Sequence, residues 1–292
     1  MAERLFLRLD DDPLHGPESG VPAGTLRALP VCESLQRHVS HILMYRETFA
    51  EGHEMRERVL PDGAVRLVFN FGDAPSADDG EGYAVEAIGA SAAPVVVRMR
   101  RRVEGLSVTL RPGAAAALLG MPAGEISGGA VHLDALWHGE GSELLARMAE
   151  APDDAARVAL LHAALQRRLA GSDTKSQPVA AAMRAAQLIA ASGGRRPLRE
   201  VAAAVGVGER RLQQLFQAHA GLSPRAWSRL ARLHGCLRAL RLQPSSPAWA
   251  DVALDSGFYD QSHLVNEFRA LCGVTPTEFM GHAVSGSSKT AR

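Results

Sequence analysis

No stretch of this 292-residue chain is apolar over the roughly 18 to 20 residues that a membrane-spanning helix requires, so a spanning helix is excluded. The opening Met-Ala-Glu-Arg-Leu-Phe-Leu-Arg-Leu-Asp is too charged, and too short in apolar length, for a secretory signal. Cysteine is scarce: Cys32, Cys236 and Cys272 are isolated, odd in number and outside any metal-ligand spacing. A reduced cytoplasm is therefore the expected location. The usual marks of catalysis are missing too, with no Ser/His/Asp elbow, no phosphate-cradling glycine loop and no paired-carboxylate motif. Gly124, Gly128 and Gly129 lack the Lys-Ser/Thr that would make such a loop. No catalytic residue, metal or cofactor is expected.

Net charge is also lacking, at a formal zero with hydrophobic residues at 46% and charged residues at 22%. That balance suits a globular chain and conceals an asymmetry. Residues 179–292 hold 14 Lys and Arg against 7 Asp and Glu, and the remainder holds 18 against 25. A basic C-terminal part on an acidic N-terminal one fits a phosphate-bearing partner for the former.

What is present, twice, is a helix-turn-helix pattern in the last third. One copy occupies residues 197–216 and the other residues 249–268. Aligned on Val201-Ala202 and Val252-Ala253, the turn glycines Gly206 and Gly257 coincide. The helix-closing pairs also correspond, Leu212 with Leu264 and Phe216 with Phe268. In the first copy Leu212, Leu215 and Phe216 form an inward stripe at i, i+3, i+4. Arg210, Arg211, Gln213, Gln214 and Gln217 are left to face outward. In the second copy Leu264, Phe268 and Leu271 turn inward, Asp260 is the N-cap, and Gln261, Ser262, Val265, Asn266 and Arg269 face outward. Arginine forks onto guanine, glutamine and asparagine onto adenine, and valine meets a thymine methyl, so these types suit base edges in a major groove. The two copies differ in charge: residues 179–242 carry 11 basic against 2 acidic side chains, residues 243–282 one against five. Counterion release is expected mainly from the first copy, including Arg229.

The remaining chain divides by composition. Residues 1–30, with Asp10-Asp11-Asp12-Pro13 and several glycines and prolines, read as an extended lead-in. Residues 31–170 form an N-terminal domain, β-rich to about residue 112 and helical beyond. Leu60-Pro-Asp-Gly63 marks a turn before a strand at 64–71, further strands follow at 94–100 and 105–111, and 73–80 is a polar loop. Helices are expected at 114–119, from 134, at 142–149 and at 153–169. Residues 171–178 are a polar linker, 179–282 the tandem unit with a long helix at about 224–241, and 283–292 a disordered tail. The fold class is thus α+β in two domains: a β-rich, half-barrel-like domain with helices, then an all-α tandem helix-turn-helix of about seven helices.

The repeats, together with Gly221-Leu-Ser-Pro-Arg-Ala-Trp227, the run 255–269 and Gly273-Val-Thr-Pro-Thr-Glu-Phe279, resemble the AraC/XylS family of transcription regulators. The resemblance implies a seven-helix domain whose two reading helices enter successive major-groove segments on one face of double-stranded DNA. It assigns base-facing positions to Arg210, Gln213 and Gln214, then Gln261, Ser262, Val265 and Asn266. RNA polymerase is the implied partner at a promoter. Residues 58–72 and 110–120 resemble an N-terminal domain of uncharacterised function found in some family members. Such domains sense a small-molecule effector or mediate homodimerisation.

Other constellations have plainer explanations. His38, His41 and His53 with Glu57 are too irregularly spaced for a metal site. Asp62 with Arg66, and the run Arg98, Arg100, Arg101 and Arg102, suggest an anion site but read better as solvated strand arginines. Trp137 and His138 could border a pocket, with a core tryptophan at a domain seam the plainer reading. The alternative function is a DNA-repair-type alkyl-transfer enzyme fused to this DNA-binding domain. It requires a reactive cysteine, and Cys32, the only N-terminal one, has no metal-ligand companions.

Overall fold

The computed structural model describes residues 3–6, 22, 24–77, 80, 82–171, 177–241 and 247–287. The N-terminal part contains ten strands among the described residues. They are β1 (Glu3–Phe6), β2 (Leu26–Leu29), β3 (Val39–Thr48), β4 (Glu54–Val59), β5 (Arg66–Asn70), β6 (Ser76–Ala77), β7 (Val85–Ile88), β8 (Val95–Arg100), β9 (Arg102–Leu110) and β10 (Ala130–His132). A four-stranded sheet has the order β1-β4-β8-β6, and a six-stranded sheet the order β10-β7-β5-β9-β3-β2. The strands thus make two open sheets, with no closed barrel among the described residues.

Alternation gives each sheet two different faces. In the six-stranded sheet Ile42, Met44, Leu67, Phe69, Ala87, Leu106 and Val108 are buried. They pack with the helices α1 (Ala114–Leu119), α2 (Leu133–Trp137), α3 (Glu140–Ala149) and α4 (Asp154–Ala170). The opposite face carries Leu43, Val68, Glu86, Ser107 and Thr109 toward the smaller sheet. The register shifts between Val39 and His41, so Val39 and Ile42 both reach the core although they are three residues apart. Gly105 lies beneath the Tyr45 ring, and a Cβ there would come within 2.6 Å of the Phe69 carbonyl.

The helices start where the local chemistry allows. Asp153 caps α4 by accepting from the Ala156 amide at 2.8 Å. Glu104, 2% exposed on β9, accepts from Arg46 at 2.8 Å and from Arg157 of α4 at 3.0 Å, and also pairs with Arg102. Although burial opposes its charge, these hydrogen bonds hold its carboxyl down to about 2.

The C-terminal part has seven helices among the described residues: α5 (Gln177–Ala191), α6 (Leu198–Ala204), α7 (Glu209–Ala220), α8 (Pro224–Arg241), α9 (Trp249–Asp255), α10 (Gln261–Cys272) and α11 (Pro276–Ser287). Ala185, Ile189, Val201, Leu212, Phe216 and Ala220 close a small core of their own within α5–α7. Leu230, Leu233, Leu237, Phe258, Leu264, Phe268 and Phe279 instead belong to one core that is continuous with the N-terminal sheets.

Four expectations are corrected. The span 1–30 is not merely an extended lead-in: β1 pairs in parallel with β4, and β2 pairs with β3. Positions 1, 2, 7–21 and 23 lie outside the described residues. The loop at 73–80 contains β6, which pairs with β8; residues 78 and 79 lie outside the description. Helix α5 begins inside the 171–178 linker, whose positions 172–176 are also undescribed. Of the tail, residues 283–287 are helical in α11, and residues 288–292 lie outside the described residues.

Candidate nucleic-acid interface and the adjoining cavity

The two reading units are built on one local plan. At the first turn the Val207 amide donates to Ala202 at 3.0 Å, and at the second the Phe258 amide donates to Ala253 at 2.8 Å. Gly206 and Gly257 take φ of +72° and +79°, a region that a side chain would strain. The second turn is one residue longer, and that residue brings in a cap: Asp260 accepts from the His263 amide at 2.7 Å. The first reading helix, α7, has Gly208 at the same place with no side-chain cap. Both reading helices end at left-handed glycines, Gly221 and Gly273.

The inward residues are where their spacing predicts. Leu212, Leu215 and Phe216 are at most 4% exposed, and Leu264, Phe268 and Leu271 at most 1%. Phe216 meets Trp227 edge-on, and Phe268 meets Phe279 in the same way. On the outer face of α7, Arg210, Arg211, Gln213, Gln214 and Gln217 are all exposed. Arg211 donates weakly to Gln214 at 3.4 Å. On α10, Gln261, Ser262, Asn266 and Arg269 are exposed, and Val265 is half-buried.

Arg229 does not belong with the free cations. Its Nε donates to Glu267 of α10 at 2.7 Å, so it ties α8 to the second reading helix. Sequence reasoning missed Arg196, Arg225 and Arg232, which line a recess with Gln213, Gln214 and Gln217. The signal was available in part: Arg225, Arg229 and Arg232 recur at i, i+4, i+7 along α8.

The C-terminal end of α7 is fastened to the N-terminal domain. The Gly113 amide donates to the His219 carbonyl at 2.8 Å, and Ser127 Oγ donates to the Gly221 carbonyl. Gly124 backs onto α7 so closely that a Cβ would approach the Gln217 carbonyl to 2.5 Å.

Between the two sheets lies a cavity of about 490 Å³. Leu43, Val68, Val97 and Met99 are among its apolar lining. Tyr45 closes part of the wall, its hydroxyl donating to Asn70 Oδ1 while Asn70 Nδ2 donates to the Tyr83 carbonyl at 2.8 Å. Three lining segments also touch the C-terminal domain. Pro61, which lines the cavity, accepts from His234 of α8 at 3.0 Å, and the neighbouring Gly63 abuts Trp227 and Leu230. Gly89 and Ser91 flank Ala90, which lies against Gly221. Gly128 and Gly129 follow Ser127, the donor to Gly221.

The other constellations resolve into structural roles. His41 Nε2 meets Thr109 at 3.0 Å, and among the described residues no group of three His, Cys, Asp or Glu could hold a metal. The arginine run is engaged rather than convergent: Arg98 reaches the Ala77 carbonyl, Arg100 Glu54, Arg101 Asp73 and Arg102 Glu104. Trp137 is 1% exposed, donates to the Leu118 carbonyl at 2.9 Å and lies under Arg168. It is a core residue of the N-terminal domain. Cys32 keeps contact with Ser34 and Gln166. Cys236 and Cys272 are buried, which pushes their thiols up to about 11 and about 12. No helix among the described residues is long and apolar enough to cross a membrane.

Residues 201–282 match the model of a helix-turn-helix domain family, and residues 27–132 match a domain of unknown function (DUF6597). No curated protein matches. Among solved structures, ToxT from Vibrio cholerae O395 is similar at 9% identity and a TM-score of 0.43, covering 83% of this chain and 98% of that one. Unsaturated fatty acid-bound ToxT from Vibrio cholerae strain SCE256 is similar at 10% identity and a TM-score of 0.44, with 82% and 94% covered.

Proposed function

We propose that the chain is a DNA-binding transcription regulator of the AraC type, acting through its C-terminal helix-turn-helix domain, and that its parts divide the work as follows. Helices α7 and α10 enter two successive major-groove segments. Arg210, Gln213 and Gln214 contact bases in the first, with Arg211 and Gln217 beside them. Gln261, Ser262, Val265 and Asn266 contact the second, with Arg269 at the phosphates. Arginine and glutamine supply the bidentate forks that distinguish guanine and adenine in that groove. The cavity between the sheets holds a small-molecule effector, and its occupancy adjusts the seating of α7. RNA polymerase is recruited or blocked as a result, a homodimer is the working assembly, and the cytoplasm is its location. No catalytic step belongs to this reading.

One observation carries it. The segments around Pro61, Ala90 and Ser127 have one side toward the cavity and the other against α8 or the Gly221 end of α7. A ligand that moves any of them moves a contact of the first reading unit. Protein interiors are packed too densely for such a shift to be absorbed silently.

The test is selection of bound sequences from a random duplex pool by the full chain, followed by footprinting. Two groups of specified base pairs are expected, with Gln214→Ala relaxing only the first and Asn266→Ala only the second. Recovery of no sequence preference at low and moderate salt overturns the reading.

A further inference from the structure

The cavity has an unbalanced charge, and the imbalance names a ligand class. Its arginines, Arg4, Arg46 and Arg66, are each ion-paired within the protein. Arg4 pairs with Glu57 at 2.5 Å and Glu47 at 2.7 Å. Arg66 pairs with Asp62, and Arg46 with Glu104. Each of these cations already faces a carboxylate, Arg4 facing two, while Arg46 shares Glu104 with Arg102 and Arg157 at the edge of the cavity.

Glu86 is the exception. It sits on β7 with its side chain on the cavity face, beside Val68 and in line with Ser107 across the sheet. It is 9% exposed, yet among the described residues it makes no hydrogen bond or ion pair. Its cross-strand partner His132 is engaged elsewhere, Nδ1 accepting from the Asp134 amide and the ring lying edge-on to Tyr83. Burial alone pushes the Glu86 carboxyl up to about 7. A buried carboxylate without a partner is costly to keep, and a site that offers one in an apolar wall is short of a donor.

Resting on the effector reading above, we propose that the cavity takes an apolar small molecule bearing a protonated amine, with the ammonium group on Glu86 and the apolar body against Leu43, Val68, Val97 and Met99. A cation restores the missing partner, and a charge-assisted hydrogen bond in this low-dielectric setting is stronger than a neutral one. An acid of the same shape puts a second negative charge beside Glu86, where the lining arginines are already ion-paired. The cavity volume falls in the range that accepts drug-sized ligands.

The experiment uses three probes of one shape, 4-phenylbutylamine, 4-phenylbutan-1-ol and 4-phenylbutyrate, titrated calorimetrically into the full chain at pH 8. The amine is expected to bind at least tenfold tighter than the alcohol, and the acid weakest. In Glu86→Gln the amine falls to the alcohol's affinity while the alcohol is unchanged, which also shows that the variant is folded. Equal or tighter binding of the acid, or an amine affinity that survives Glu86→Gln, overturns the proposal, as does binding by none of the three. DNA affinity separates this from the effector reading: if the acid binds the cavity at least as tightly as the amine and shifts DNA affinity, the effector reading stands and only the ligand class falls. Should none of the probes bind, unaltered DNA affinity in the cavity-filling Val97→Phe takes the effector reading down as well.

Discussion

The two reading units share a backbone plan and differ in what supports them. The first has a core of its own, closed by Ile189, Val201, Leu212 and Phe216, and a basic outer face. The core of the second runs without a break into the N-terminal sheets. Its surroundings are acidic, and Glu267 on its reading helix holds Arg229. The basic outer face and the core shared with the N-terminal sheets have thus been placed in different copies of one motif. The first copy keeps its separate core and is fastened to the N-terminal domain at the end of α7 by Gly113, Gly124 and Ser127. The second is in effect part of the body that carries the cavity.

Loss of a core aromatic is the most forceful way to break this comparison. Phe268→Ala and Phe216→Ala each remove a fully buried ring, at about 3 to 5 kcal/mol. Scanning calorimetry is expected to show Phe268→Ala lowering the main transition of the whole body. Phe216→Ala is expected to detach an earlier, smaller transition. If both lower one common transition alike, the division into two cores is wrong.

Acid sharpens it next. The Glu104 carboxyl titrates near 2 when folded, against an ordinary value of 4.5. Its stabilisation is therefore complete above about pH 4.5 and is lost as the pH falls toward 2. Glu104→Gln is expected to cost about 1.5 to 3 kcal/mol at pH 7 and little near pH 2. By chemical denaturation, the loss should appear in the body that includes the second unit and spare the first.

DNA binding distinguishes the outer faces. Gln214→Ala is expected to cost about 1 to 3 kcal/mol at its own base pair, and Asn266→Ala less than about 1 kcal/mol. Gel shifts on the selected site read both; equal losses would mean that the second unit reads as strongly as the first. Smallest is the salt effect of single charges. Removing Arg210 and Arg211 together should reduce the slope of log affinity against log salt by about 2, and Arg269→Ala by about 1 at most. Arg229→Ala should leave the slope nearly unchanged, because Glu267 already neutralises it.

The C-terminal half was legible in the chain because its signals are local. Leu212 and Phe216 are four apart on one helix, Gly206 sits at the turn, and Asp260 stands one residue before α10. Each needs only its neighbours to act. The N-terminal half was legible as strands and not as an arrangement. The register shift at Ser40 puts Val39 and Ile42 on one face, which breaks the alternation from which a buried face is read. The pairing of β1 with β4 joins residues about fifty positions apart, and nothing local in Glu3–Phe6 announces it. Arg229 looked free because its partner lies 38 residues away.

By itself, then, the sequence determined the two helix-turn-helix units, their inward stripes, their outward side chains and the bias of charge between them. Periodicity, capping and glycine geometry act over one or two turns of chain. Only the tertiary structure decided that the second unit shares its core with the N-terminal domain, that the end of α7 rests on Gly124 and Ser127, and that Glu86 lines the cavity with no hydrogen-bond or ion-pair partner among the described residues. Those facts depend on which distant groups the folded chain brings together, and whether a charge is neutralised is settled by its nearest neighbours in space.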